Sequence, residues 1–188
     1  MEFPPARPDV VRAISQRWLL KFWRGHLGQH RVPCWQSVAA DNLKPLSANL
    51  SLLDLAEAEE AEEKRFLIRF HGSAIAQIYG SSDCRGKFLD EVLPPADCAS
   101  ALKAYHRAVE CGCPIYTIHD VSDRQGRIVH YERLMLPFAR DGQTVDRVLA
   151  SFELVCEDGG FDSTALLTSQ AAPPVLKLAA TIEPASLA

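Results

Sequence analysis

The stretch "KRFLIRFHGSAIAQIYGSSDCRGKFLDEVLP", residues 64–94, changes its rhythm partway, and that change sets the fold. Phe66, Ile68 and Phe70 alternate with Leu67, Arg69 and His71, the two-residue period of a strand. From Gly72 onward the alternation stops. "GSAIAQIYG" and "GKFLDEVLP" are short helical turns fenced by Gly72, Gly80, Gly86 and Pro94. A strand therefore runs directly into a group of short helices. Working upstream, "ANLSLLDL" (48–55) is another strand, and the two form a hairpin. The acidic "AEAEEAEEKR" (56–65) between them reads as a solvated loop or a single extra helical turn. Downstream, "PADCASALKAYHRAVECGCP" (95–114) is a fuller helix with Ala101, Leu102, Tyr105, Ala108 and Val109 on one face.

Three strands follow: "PIYTIHDVS", "RIVHYERLMLPFA" and "TVDRVLASFELV". They are joined by "DRQG" and "RDGQ", where Gly126 and Gly142 supply positive φ. The order predicts an α+β domain over 47–156 with one five-stranded antiparallel sheet and helices on one face. The last two strands are apolar in both registers, so the second face also needs cover.

Residues 1–46 provide it. "DVVRAISQRWLLKFWR" (9–24) spaces Val11, Ile14, Trp18 and Phe22 as one stripe of an amphipathic helix outside the core. That stripe is the expected face toward the sheet, a second copy or a partner. Trp35, in the polar segment that follows, is expected to cap the core. Residues 157–188 are rich in Ala, Ser, Thr and Pro and read as a mobile tail. Within it only "PVLKLAATI" is apolar enough to dock on a partner or on the sheet.

The element order resembles the PAS arrangement, and the residues resemble a bacterial PAS family of small proteins in which the domain stands nearly alone. The likeness is carried by "FLIRFHGSAIAQIYGSSDCRGKFLDEV", "YHRAVECGCPIY", "YERLMLPFARDG" and "VDRVLASFE", and runs from about Trp23 to Glu153. It implies a sensory or regulatory protein that binds a small ligand, a protein, or both, without catalysis and without its own output domain. The expected pocket residues are Ile68, Phe70, Ile75, Tyr79, Phe88, Leu102, Tyr105, His106 and Ile118. No cofactor is expected. Cys84 precedes Gly86, whereas the adduct-forming cysteine of light-sensing PAS proteins follows the corresponding glycine; no flavin is expected and Cys84 reads as a small loop residue. Haem is the alternative, with His106 on the long helix as axial ligand; otherwise no metal is expected.

Arg69, Glu132 and Arg133 lie on strands whose faces alternate, and a buried charge must be paired. They are read as a structural Arg–Glu ion pair that fixes strand register in preference to a ligand anchor. Which of Glu132 and Arg133 points inward is left open by the two equally apolar registers. A small cavity enzyme, an isomerase or hydrolase using Asp120, Glu132 and Tyr105, is the competing reading.

Composition narrows the rest. A net charge of −4 and a pI near 5.9 provide no basic field for nucleic acid or an anionic membrane surface. No run is long and apolar enough for a membrane span, and no secretory signal is visible at the start, so a cytoplasmic protein is expected, forming a homodimer or meeting a signalling partner. Six cysteines lack the two-residue gap of zinc knuckles and read as reduced thiols. Cys111 and Cys113 enclose only Gly112, a spacing found in some metal and redox sites, and are read as two small thiols at a helix end.

Overall fold

The computed structural model describes residues 1–57, 64–81, 83–170 and 173–183, so most of the acidic loop lies outside the described residues. The chain opens with β1 (Pro5–Ala6) and α1 (Ile14–Gly25), then α2 (Ala40–Leu43) and a 3-10 turn over Lys44–Asn49. The hairpin β2 (Leu50–Ala56) and β3 (Arg65–His71) follows. Next come α3 (Ser73–Ile78), α4 (Leu89–Val92) and α5 (Pro95–Cys111), then β4 (Ile115–Ser122), β5 (Ile128–Ala139) and β6 (Val145–Val155). The last element among the described residues is β7 (Val175–Ile182).

The five expected strands are present, but the sheet is larger and mixed. Its order is β1-β7-β4-β5-β6-β2-β3, and β1 runs parallel to β7. The five-stranded antiparallel expectation is corrected by the two chain ends. β7 forms a ladder with β4, from Ile115 opposite Thr181 to Asp120 opposite Val175, and β1 closes its other side. Residues 175–182 are thus part of the sheet, where a mobile tail was expected. Ladder hydrogen bonds are open to any residue but proline, and the C-terminal end of β7 adds Ala180 and Ile182 to the core on the α1 side.

Both sheet faces are covered, which explains the doubly apolar strands. On β5, Val129, Tyr131 and Met135 face α3–α5 and form the main core with Phe66, Ile68 and Ile75. The alternate residues Leu134, Leu136 and Phe138 face α1 and build a second core with Leu19, Leu20 and Trp23. A central strand normally excludes proline. Pro137 is tolerated because the pairing of β5 with β4 ends at Met135. Its carbonyl accepts from Trp23 Nε1 at 2.6 Å, tying α1 to the sheet. Trp35 sits edge-on to Phe138 at 5.1 Å under the Arg147 guanidinium, as a cap on this second core.

The expected stripe divides between core and surface. α1 packs through Gln16, Leu19, Leu20 and Trp23, leaving Ile14 79% and Trp18 44% exposed, with Phe22 half-buried and stacked on Trp18. Val11 precedes the helix and is fully buried, so it belongs to the core and to no partner face. Apolar residues occur on most sides of this short helix. The packing side is disguised by Gln16, whose Nε2 donates to the carbonyls of Glu132 and Ser151 at 3.4 and 3.2 Å. Burying a glutamine there satisfies backbone acceptors on the sheet.

Candidate functional site

Strand register determines the polar interior. Tyr131 and Arg133 are two apart on β5 and share the face toward α5. Across the β4–β5 ladder, His119 stands opposite Tyr131 and Thr117 opposite Arg133. Asp97 comes from above, in the first turn of α5, where a carboxylate is favoured by the free N–H groups of the helix start. Tyr79 closes α3 and Tyr105 lies on α5, both within the same core.

Arg133 is completely buried. Its Nη2 donates to Asp97 Oδ2 at 3.2 Å and to the Tyr131 hydroxyl at 2.8 Å, and its Nε donates to the same hydroxyl at 3.2 Å. The guanidinium lies over Tyr131, Phe152 and Tyr105 at 5.0, 5.6 and 5.7 Å. The Tyr79 and Tyr131 hydroxyls are 3.3 Å apart. Burial pushes the hydroxyls of Tyr79, Tyr105 and Tyr131 above the ordinary phenol range, so they are neutral donors.

The partners run out on the β4 side. Arg133 Nη1, His119 Nδ1 and Nε2, and Thr117 Oγ1 are all buried and have no hydrogen-bond partner among the described residues. Buried groups of this kind are normally satisfied, and leaving one unpaired costs about 1–3 kcal/mol. Burial, with the Arg133 charge adding, pushes His119 down to about 4, so its ring is neutral and offers one donor and one acceptor. A charged donor, a hydroxyl and a neutral imidazole therefore occupy neighbouring positions on one floor.

Of the residues expected to line a pocket, Ile68, Ile75, Tyr79 and Tyr105 lie in this core, with Leu102 packed against it. Phe88 is half-buried under the Arg65 guanidinium at 3.9 Å, and His106 is edge-on to Phe66 at 5.0 Å. Phe70 and Ile118 belong elsewhere. Ile118 is in the second core. Phe70, 39% exposed, lines an open cavity of about 450 Å³ between β2 and the α2 segment, with Trp35, Leu43, Leu52 and Leu149.

The expected Arg–Glu pair is also corrected. Glu132 and Arg133 are both buried, on opposite faces. Glu132 accepts from the Tyr116 hydroxyl at 2.7 Å on the α1 side, and Arg133 pairs with Asp97. Arg69 is at the surface, 2.7 Å from Asp54. Asp97, Thr117, His119 and Tyr131 were not anticipated. Tyr131 could have been found from its two-residue offset to Arg133, whereas Asp97 reads in sequence as an ordinary helix-start carboxylate.

The residues proposed for a cavity enzyme do not converge. Asp120 pairs with His130 at 2.7 Å and Lys177 at 3.6 Å, Glu132 with Tyr116, and Tyr105 lies across the sheet. Cys84 is buried, with its sulfur 2.9 Å from Ser81 Oγ. Among the described residues no cluster of three His, Cys, Asp or Glu could hold a metal ion, and no helix is long and apolar enough to cross a membrane.

Two solved structures similar to this chain are light-oxygen-voltage proteins. One is a light-oxygen-voltage domain studied with a flavin analogue, 14% identical over 63% of this chain and 84% of that one, with a TM-score of 0.44. The other is the LOV protein of Rhodobacter sphaeroides, 11% identical over 65% and 71%, with a TM-score of 0.45. The likeness is one of fold. It nonetheless corrects the expectation that no cofactor, and flavin in particular, would be found, and that exclusion is withdrawn. No curated protein sequence matches the chain. The family model for the PAS domain matches residues 11–153, which hold most of both cores and every residue of the buried polar floor, and the chain belongs to the PAS domain family.

Proposed function

We propose that this chain is a sensory or regulatory PAS module that binds a small polar ligand between α5 and the sheet and passes on its occupancy by protein contact. The observation that carries the reading is the set of buried atoms without partners, Arg133 Nη1, both His119 nitrogens and Thr117 Oγ1. A ligand bearing acceptors for Arg133 and Thr117, and either type of group for His119, would satisfy them together. The close approach of Tyr79, Tyr105, Tyr131 and Phe152 favours a small or flat ligand. The polar edge of a heterocycle, flavin included, is within the chemistry these donors accept.

A route to the surface runs through β5. Arg133 faces the ligand, while the preceding residue, Glu132, accepts from Tyr116 and offers its carbonyl to Gln16 of α1. The Arg12 backbone N–H donates to the same Tyr116 hydroxyl. A shift of β5 on binding would move the start of α1, whose exposed Ile14 and Trp18 are the contact surface for a second copy of the chain.

The test is to denature the purified chain, identify what it releases by mass spectrometry, and record its absorption spectrum beforehand. One small molecule at about one per chain is expected, lost from the Thr117→Val, His119→Phe double variant. The spectrum separates a flavin or haem from a colourless ligand. Release of nothing, or equal retention by the folded double variant, would overturn the reading.

A further inference from the structure

Beyond the buried floor, two cysteines meet at the end of α5. Cys111 is the last residue of the helix, Gly112 turns the chain in the left-handed region (φ 63, ψ 25), and Cys113 begins the approach to β4. The turn folds the two cysteines onto one another. The Cys111 thiol donates to the Cys113 carbonyl at 3.8 Å and the Cys113 thiol to the Cys111 carbonyl at 3.4 Å. With one left-handed residue between them, their Cα atoms are roughly 5–6 Å apart, within the span a disulfide accepts.

The surroundings are cationic and fixed from outside the helix. Arg31 reaches across from the segment before the sheet and donates to the Glu110 carbonyl at 3.5 Å. A methyl group built on Gly112 would meet Val32 at 3.2 Å and the Arg31 guanidinium at 3.6 Å, so the arginine lies directly over the turn. Arg107, one helical turn before Cys111, adds a second positive charge. Both thiols are only half-buried, and so reachable by a small solute. Among the described residues the four remaining cysteines have no second thiol beside them; Cys84, for instance, is buried against Ser81.

We infer that Cys111 and Cys113 form a peroxide-oxidisable dithiol, a covalent modification site separate from the ligand floor. The Cys111 thiolate attacks a hydroperoxide: an S–O bond forms, the O–O bond breaks, and the departing alkoxide or hydroxide takes a proton from water. The Cys113 sulfur then attacks the Cys111 sulfenic acid; the S–S bond forms, the S–O bond breaks, and hydroxide leaves with the Cys113 proton as water. Two thiols lose two electrons and the peroxide gains them. The thiolate is favoured at Cys111, where the adjoining Cys113 thiol, with Arg107 adding, brings the pKa down to about 6 against the opposing effect of burial. The same contact pushes the Cys113 thiol up, as suits a resolving thiol that stays protonated until it attacks.

The experiment uses the full chain. Cleavage after Arg107 and Arg124 releases one peptide that holds Cys111 and Cys113 and no other cysteine. After limiting hydrogen peroxide, this peptide is expected to lose about 2 Da ahead of any change at the other four cysteines, and to regain it with dithiothreitol. Cys113→Ser should instead accumulate a sulfenic acid trapped by dimedone at Cys111. The alkylation rate of Cys111 should rise through a midpoint near pH 6, below that of the remaining cysteines. Oxidation at the same rate as those cysteines, an ordinary thiol midpoint in the wild-type chain, or a pair held by tightly bound zinc or copper and unreactive to peroxide would overturn the inference.

Discussion

Removing one partner of the buried Arg133–Asp97 pair tests the interior most sharply. Both side chains are almost fully excluded from water, at 1% and 2% exposure, so Asp97→Ala leaves a guanidinium with no compensating charge. Such a loss costs about 3–5 kcal/mol, and at 2–4 °C per kcal/mol for a chain of this size it lowers Tm by roughly 6–20 °C. The surface pair is the control. Arg69 is 54% exposed beside Asp54, and Arg69→Met should cost less than about 1 kcal/mol. The Asp97→Ala, Arg133→Met double variant removes both charges and should be more stable than the sum of the single changes predicts. Urea unfolding followed by circular dichroism measures the unaltered chain, Asp97→Ala, Arg133→Met, their double variant and Arg69→Met. A cost under about 1 kcal/mol for Asp97→Ala, or simple additivity in the double variant, would refute the claim that the pair is desolvated and coupled.

Three further predictions rest on other parts of the structure. His119 is held neutral at about 4 by burial, against roughly 6.5 in the unfolded chain, so the unfolded state takes up its proton first as pH falls. Stability should therefore drop by about 3 kcal/mol between pH 6.5 and 4 on this account, and His119→Phe should flatten much of that slope in pH-dependent urea titrations. Trp23→Ala removes a fully buried ring and its bond to the Pro137 carbonyl and should cost about 3–5 kcal/mol, whereas Trp18→Glu should leave Tm nearly unchanged but weaken self-association in sedimentation experiments. Thr181→Pro removes the backbone N–H that donates to the Pro4 carbonyl and should detach β1 from β7, seen as faster amide exchange along residues 175–182.

Much of the fold was legible because periodicity records which side of an element is dry. The switch at Gly72 marked the hairpin and the short helices, and the doubly apolar β5 and β6 announced a sheet covered on both faces. β7 was hidden because its stability comes from ladders on both sides, and the apolar content of 175–182, judged alone, could not offset the entropy of ordering it. α1 carried apolar residues on two stripes, and the packing side included a glutamine that satisfies sheet carbonyls. The buried floor was partly visible in Arg133, Tyr79 and Tyr105. Asp97 was missed because its partner is 36 residues away and its place in the first turn of a helix already accounted for it.

The most direct test of the central claim is a crystal structure of the chain purified without added ligand, at a resolution that distinguishes water from an organic group. The account predicts density larger than a water molecule within hydrogen-bond distance of at least two of Arg133 Nη1, His119 and Thr117 Oγ1. Single ordered waters at all three, or side chains repacked so that those atoms pair with one another, would contradict it.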